Sequence, residues 1–326
     1  MVEPSVDAAP GIRCAVWSRT EQIDPVGSAG SYSGYLLVEW PLPWPRDAGD
    51  VEELEPVRQA IAGRGLRIQL VVPETDQFRR VAFYCKPEGP FTGFVGRELR
   101  VRLVPDGPAG SDRPVLGDTT VDGRAIGAAL GRATDQLLTS GGEPIAQSDV
   151  LVCTHGRRDR CCGSLGTELW QQLGGFDLDG SGARLARTSH TGGHRFAATC
   201  LVLPAGTLWG FLDADALSRI VRREGPLDDL IPRYRGCSGL DSPAAQALER
   251  AVLAELGWPL FEHARSVEDL GGGHLRLVLS GSMGTPAWEA TVVPGRTFPV
   301  PDCGQALEHS KRTEAEYRVE NLARVE

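Results

Sequence analysis

The sequence predicts a mixed α/β (α+β) protein in three consecutive segments: an N-terminal α/β domain over 12–146, a central unit over 147–240 and a small α+β module over 241–326. Three observations lead there. Strand-like apolar runs alternate with amphipathic helical stripes along the chain. A length of 326 residues allows two or three cores. Gly141-Gly142-Glu143-Pro144 breaks both kinds of pattern and marks a boundary.

In the first segment, Gly34 to Trp40 reads as a strand ending at Pro41-Leu-Pro-Trp44-Pro, whose alternate prolines exclude helix. Trp40 and Trp44 are expected to cover the core at that corner. Val51, Leu54, Val57 and Ile61 form a helical stripe stopped by Gly63, and Leu66–Val72, Arg80–Cys85 and Glu98–Val104 read as strands. Thr120 to Ser140 is weakly helical. Cys14 and Cys85, beside Val16 and Phe83, read as buried structural thiols in strands.

In the second segment, Asp149 to Cys153 is a short strand that ends on a cysteine, and Gly166 to Leu173 a helix. Strands over Arg184–Ser189 and Thr199–Leu203 and a helix over Asp213–Val221 follow, the last with an acidic first turn that suits its positive end. In the third, Ser242 and Pro243 open a helix that Gly257 stops. Leu275–Leu279 and Ala287–Val293 make a hairpin across residues 281–286. Lys311 to Glu326 is charged and reads as an exposed helix or tail.

Composition narrows the function. Hydrophobic residues at 41% and charged residues at 24% are ordinary for a globular protein. A net charge of −9 and the absence of long basic runs argue against a nucleic-acid partner. The start lacks a basic region followed by an apolar one, and the longest apolar stretch, Cys200–Leu212, is broken by Pro204, Gly206 and Gly210. The expectation is a cytoplasmic protein without a membrane partner. Eight cysteines without Cys-x-x-Cys suggest thiols or metal ligands rather than disulfides or a thioredoxin-type dithiol.

The chemistry concentrates in Cys153-Thr-His155-Gly-Arg-Arg-Asp-Arg-Cys161-Cys162-Gly163 and His190-Thr-Gly-Gly-His194. Two thiolates and two imidazoles can hold an iron–sulfur centre, and equally a tetrahedral zinc ion. His155 is expected to pack the loop or neighbour the metal. The guanidinium groups of Arg157, Arg158 and Arg160 either screen a reduced centre or form a solvated ion pair with Asp159. Cys200 reads as core, and Cys237 as an exposed turn residue without a ligand role. His263, His274 and His309 read as surface or packing residues. No glutamate follows His190 to serve as a metalloprotease base, no acidic pair singles out a glycosidase, and no Gly-rich phosphate loop suggests a bound flavin or nicotinamide.

These pieces resemble the sucrase/ferredoxin-like family of thioredoxin-like [2Fe–2S] ferredoxins, in its histidine-ligated branch. Cys153-x8-Cys162-Gly, Ser189-His-Thr-Gly-Gly-His-Arg-Phe-Ala197 and Leu201-Val-Leu-Pro-Ala-Gly-Thr-Leu-Trp-Gly210 carry the resemblance, strongest over 147–240 and looser at Trp40–Trp44 and Tyr234–Gly239. It implies a thioredoxin-like central domain and a [2Fe–2S] cluster on Cys153, Cys162, His190 and His194, with Cys161 an alternative to Cys162. It also implies electron transfer or reductase activity, with a separate electron-donor reductase and an acceptor as partners. Two imidazoles in place of two thiolates make the site less negative and easier to reduce, and couple the electron to a proton. The glycines between the histidines would let the backbone approach the cluster. The other readings are a structural zinc-binding interaction module and a cluster-based redox sensor.

Overall fold

The structure, a computed structural model, describes residues 12–87, 93–103, 123–174, 181–280 and 286–325. A short helix, α1 (Cys14–Thr20), comes first. The strand expected at Cys14 is thus replaced by a helix with a narrow inward stripe of Cys14, Ala15 and Ser18, while Val16 faces solvent.

The next elements are β1 (Gly34–Glu39), α2 (Glu55–Ile61), β2 (Leu66–Val71), β3 (Phe78–Cys85), β4 (Val95–Arg102), α3 (Gly123–Thr139) and β5 (Glu143–Pro144). β1 and β2 are parallel; β3 runs antiparallel to β1, β4 to β3 and β5 to β4. The same plan then returns as β6 (Ser148–Cys153), α4 (Arg160–Leu173), β7 (Ala183–Thr188), β8 (Cys200–Leu203), β9 (Thr207–Trp209), α5 (Ala214–Arg222) and β10 (Tyr234–Cys237). β6 and β7 are parallel; β8 runs antiparallel to β6, β9 to β8 and β10 to β9.

The two halves meet at the antiparallel pair Val71↔Thr188, which makes one sheet in the order β10-β9-β8-β6-β7-β2-β1-β3-β4-β5 among the described residues. Numbered within each half, that order is a palindrome, so the halves are topological duplicates joined edge to edge. The order β9-β8-β6-β7, with β6 and β7 parallel, is the thioredoxin-like arrangement that the resemblance implies. Val71 and Thr188 are the last residues of β2 and β7. The loops leaving the carboxyl ends of both parallel pairs therefore converge on the seam, the usual place for a site in an α/β sheet. Backbone bonds from Val72 N–H to Arg187 O at 3.0 Å and from Ser189 N–H to Leu70 O at 2.8 Å fasten it.

A buried ion network also crosses between the halves. Asp149 on β6 accepts from Arg80 on β3 at 2.6 Å and 3.1 Å and from the Tyr84 hydroxyl, and Glu98 on β4 holds Arg184 on β7 at 3.1 Å.

The last segment forms α6 (Pro243–Leu256) and an antiparallel sheet of β11 (Ala264–Gly271), β12 (His274–Ser280), β13 (Ala287–Pro299) and β14 (Thr313–Val325). α6 packs against β10 and against β12, β13 and β14, so its core, with Trp209, Leu248, Leu277 and Trp288, is continuous with that of the second half. The β12/β13 pair is the expected one; residues 281–285 of its turn lie outside the described residues. The expected exposed helix or tail after Lys311 is instead β14, because Ala315, Tyr317 and Val319 recur at a period of two beneath the charges. No described helix is long and apolar enough to cross a membrane.

Candidate metal centre

Cys153 is the fully buried last residue of β6. Asp159 caps the following helix, accepting from the amides of Cys161 at 2.8 Å and Cys162 at 3.3 Å. α4 therefore starts at Arg160, six residues before the helical pattern predicted from Gly166. Cys161 and Cys162 lie in its first turn rather than on a loop, and a rotation of about 100° per residue sends their thiols to different neighbours. A Cβ on Gly166 would sit 1.9 Å from Cys153 O, and one on Gly163 would sit 2.4 Å from Gly156 Cα. Both glycines are thus required for the helix to lie on the ligand loop.

The ligand atoms of Cys153, Cys162 and His190 all lie within 4.8 Å of one another, with Cys162 Sγ 3.6 Å from His190 Nδ1. Cys162, and not Cys161, shares this group with Cys153. The Cys153 thiol is pulled well below its ordinary pKa by a hydrogen bond with Cys162, helped by His190 and the His155 amide and opposed by burial. Cys162 is pushed well up by that same bond and by burial.

His194 is brought to the same neighbourhood but outside that compact group. The two imidazole rings are 5.9 Å apart, and His194 Nδ1 lies 3.2 Å from Asp159 Oδ2 and 3.1 Å from Cys14 Sγ. Its Nε2 is 3.7 Å from Asp302 Oδ1. For Asp159, burial opposes ionisation, yet the His194 hydrogen bond and the two helix amides hold its pKa at about 2.

The loop between the histidines turns on Gly192 at φ +83° and Gly193 at φ +66°. A Cβ on Gly193 would meet the Arg235 guanidinium carbon at 2.3 Å. The glycines therefore admit a buried arginine as well as a left-handed turn. Arg235 donates to Gly192 O at 3.1 Å and Ser28 O at 2.6 Å, and burial, with Arg195 nearby, brings its pKa down to about 10. Arg67 donates to His190 O at 2.5 Å. Neither arginine was singled out from the sequence, since nothing local ties them to the loop.

His190 and His194 line a cleft of about 1170 Å³ that also receives Arg46, Arg158, Lys311 and Arg312. His155 packs as expected: its Nε2 is 2.8 Å from Pro45 O and its ring stands edge-on to Trp44 at 5.6 Å. Trp44 is buried and donates to Trp40 O at 2.9 Å, so the proline corner buttresses the ligand loop. Arg157, Arg158 and Arg160 are exposed, and Arg158 lies 3.9 Å from Asp47.

The remaining cysteines are not all scattered. Cys14, Cys161 and Cys303 meet beside Asp159, with Cys303 Sγ 3.0 Å from each of the other two sulfurs. Cys237, expected exposed, is fully buried at the end of β10 and its pKa is raised by burial to about 11. Cys200 is core, raised to about 12 for the same reason. Cys85 is only half-buried on β3.

No curated protein and no solved structure matches the chain. A family model described as Sucrase/ferredoxin-like matches residues 25–236, both halves of the large sheet and all but the last residue of β10. That match spans well over half of the chain and contains Cys153, Cys162, His190 and His194, so the chain belongs to the sucrase/ferredoxin-like family.

Proposed function

We infer that the chain is a [2Fe–2S] electron-transfer protein or reductase whose cluster is held by Cys153, Cys162, His190 and His194. The observation that carries this reading is the convergence of two thiols and one imidazole within 4.8 Å at the carboxyl ends of β6 and β7. Thiolate and imidazole donors suit iron–sulfur and zinc alike. A single tetrahedral ion, however, needs all four donors in one small sphere, and His194 is outside the compact group. A two-iron core spreads its donors over two metals, which allows one of the four to lie outside the group that the other three form.

Asp159 supports the part given to His194. With Nδ1–H donating to Asp159 Oδ2, Nε2, which lies 3.7 Å from Asp302 Oδ1, would be the atom available to a metal, the usual carboxylate–histidine arrangement. Such a cluster supplies one-electron transfer, at a potential raised by its imidazoles. Arg235 and Arg67 fix the backbone between and before the histidines and bring positive charge to it. Half-buried His190 faces the cleft, whose lining mixes Arg46, Arg158, Lys311 and Arg312 with Asp47, Asp302 and Glu314, a polar surround that suits docking of a charged surface of a separate reductase or acceptor.

The test is anaerobic purification followed by iron, sulfide and zinc analysis and EPR of the reduced protein. The expected result is two irons and two sulfides per chain, with an EPR signal altered in His190→Cys and His194→Cys. Zinc without iron at Cys153 and Cys162 would replace this reading with a structural zinc module.

A further inference from the structure

We propose that Cys14, Cys161, Cys303 and Asp159 form a second, structural metal site for Zn2+, distinct from the Cys153, Cys162 and His190 group. Three thiols and a carboxylate are a complete four-donor set, and soft sulfur donors favour zinc over magnesium or calcium. Their ligand atoms lie within 4.8 Å of one another. Tetrahedral zinc with bonds of about 2.3 Å sets sulfurs about 3.7 Å apart. The 3.0 Å spacings of Cys303 therefore need sub-ångström widening, and they exceed the about 2.05 Å of a disulfide.

The surroundings suit a closed structural site. Cys14 and Cys161 are fully buried, Asp159 is 7% exposed and only Cys303 is half-buried, and four protein donors leave no coordination position for a substrate. Asp159 is oriented from behind by the Cys161 and Cys162 amides, and His194 Nδ1 is within hydrogen-bond reach of both Asp159 Oδ2 and Cys14 Sγ. The carboxylate retains lone pairs for a metal.

The connectivity gives the site its purpose. Cys14 starts α1, Cys161 lies in the first turn of α4, and Cys303 follows β13. One ion would thus pin the N-terminal helix and the C-terminal module to the ligand helix, closing a loop between residues 289 apart in sequence. The vicinal pair Cys161-Cys162 would serve both centres, one thiol each, so that the second site fixes the rotation of the turn that presents Cys162.

The experiment uses the full chain purified anaerobically, with zinc counted by elemental analysis and the metal-stripped protein titrated with cobalt(II) chloride. The expected result is one zinc per chain, retained in Cys85→Ser and in Cys153→Ser. Cys303→Ser should weaken zinc binding by more than about tenfold while the iron content stays unchanged. Cobalt(II) should give thiolate charge-transfer bands that weaken in Cys303→Ser and again in the Cys14→Ser/Cys303→Ser pair. Half-buried Cys303 lies in a loop, so its variant should fold, as circular dichroism would show, even if Cys14→Ser does not. Absence of zinc and of cobalt charge transfer in the wild type, zinc lost in Cys153→Ser but kept in Cys303→Ser, or a Cys14–Cys303 disulfide in the anaerobic protein would each overturn the site. Because Cys303 is outside the iron set, a chain without iron would still decide the question.

Discussion

Asp159 Oδ2 lies 3.2 Å from His194 Nδ1, and the other oxygen of that carboxylate caps the helix that carries Cys161 and Cys162. One side chain thereby sets the rotation of the thiol-bearing turn and the orientation of an imidazole from a loop 35 residues further on in sequence. Because its folded pKa of about 2 is below the ordinary carboxylate value of 3.8, its contribution is present above the higher value and is lost as pH falls through the lower. Asp159→Asn keeps a helix cap but removes the charge. The metal-free variant should be less stable than wild type by on the order of 2 kcal/mol at neutral pH, with the gap closing between about pH 4 and pH 2. Urea denaturation at stepped pH checks this, and a gap that persists at pH 2 would refute the linkage.

Gly193 and Arg235 make a second constraint. Gly192→Ala adds only backbone strain at φ +83°, since its nearest neighbour, Arg235 Nη2, is 3.9 Å away. Gly193→Ala adds comparable strain and a 2.3 Å collision with a fully buried guanidinium. The first should cost about 1 kcal/mol and the second more than about 3 kcal/mol, with loss of bound metal in the second alone. Thermal melts with metal analysis of both variants test the difference, and equal losses would show that only the turn matters.

The elements legible in the sequence are those whose signal is local. The apolar run ending on Cys153 and the Ser242-Pro243 helix start both stand in the structure where their residues place them. The early start of α4 was not legible because Cys161-Cys162-Gly163-Ser164 is a poor helical sequence; the local sign was Asp159, the capping residue two before the cysteines. Cys14 and Cys303 had no such sign, since 289 residues separate them and only tertiary packing brings them to Cys161. The duplicated strand order was hidden for the same reason, because topology persists where sequence does not repeat.

The buried contact of Arg80 with Asp149 couples the two halves of the sheet. Arg80→Met would leave the Asp149 carboxylate buried with Tyr84 and, at 3.6 Å, Arg184 as its remaining partners. A loss of about 3–5 kcal/mol is expected. The double variant Arg80→Met/Asp149→Leu removes the stranded charge and should be more stable than the single one. A double-mutant cycle by chemical denaturation measures this; a double variant no better than Arg80→Met would mean that packing, not charge, governs the position.

β14 gives the last prediction. Arg318, Glu320 and Arg324 are exposed, while Tyr317, Val319 and Leu322 pack onto the core shared by α6 and the second half of the large sheet. Truncation after Arg312 would strip those side chains away and leave the backbone of the 13-residue strand β13 unpaired along one edge. A long uncovered edge is a template for intermolecular pairing. The truncated chain should therefore melt at lower temperature and aggregate on warming, as static light scattering would register. Tyr317→Ala, which leaves the edge covered, should lower stability by about 3 kcal/mol without aggregating below its melting transition. A truncated chain that melts like the wild type would mean that β14 is a peripheral strap rather than part of the core.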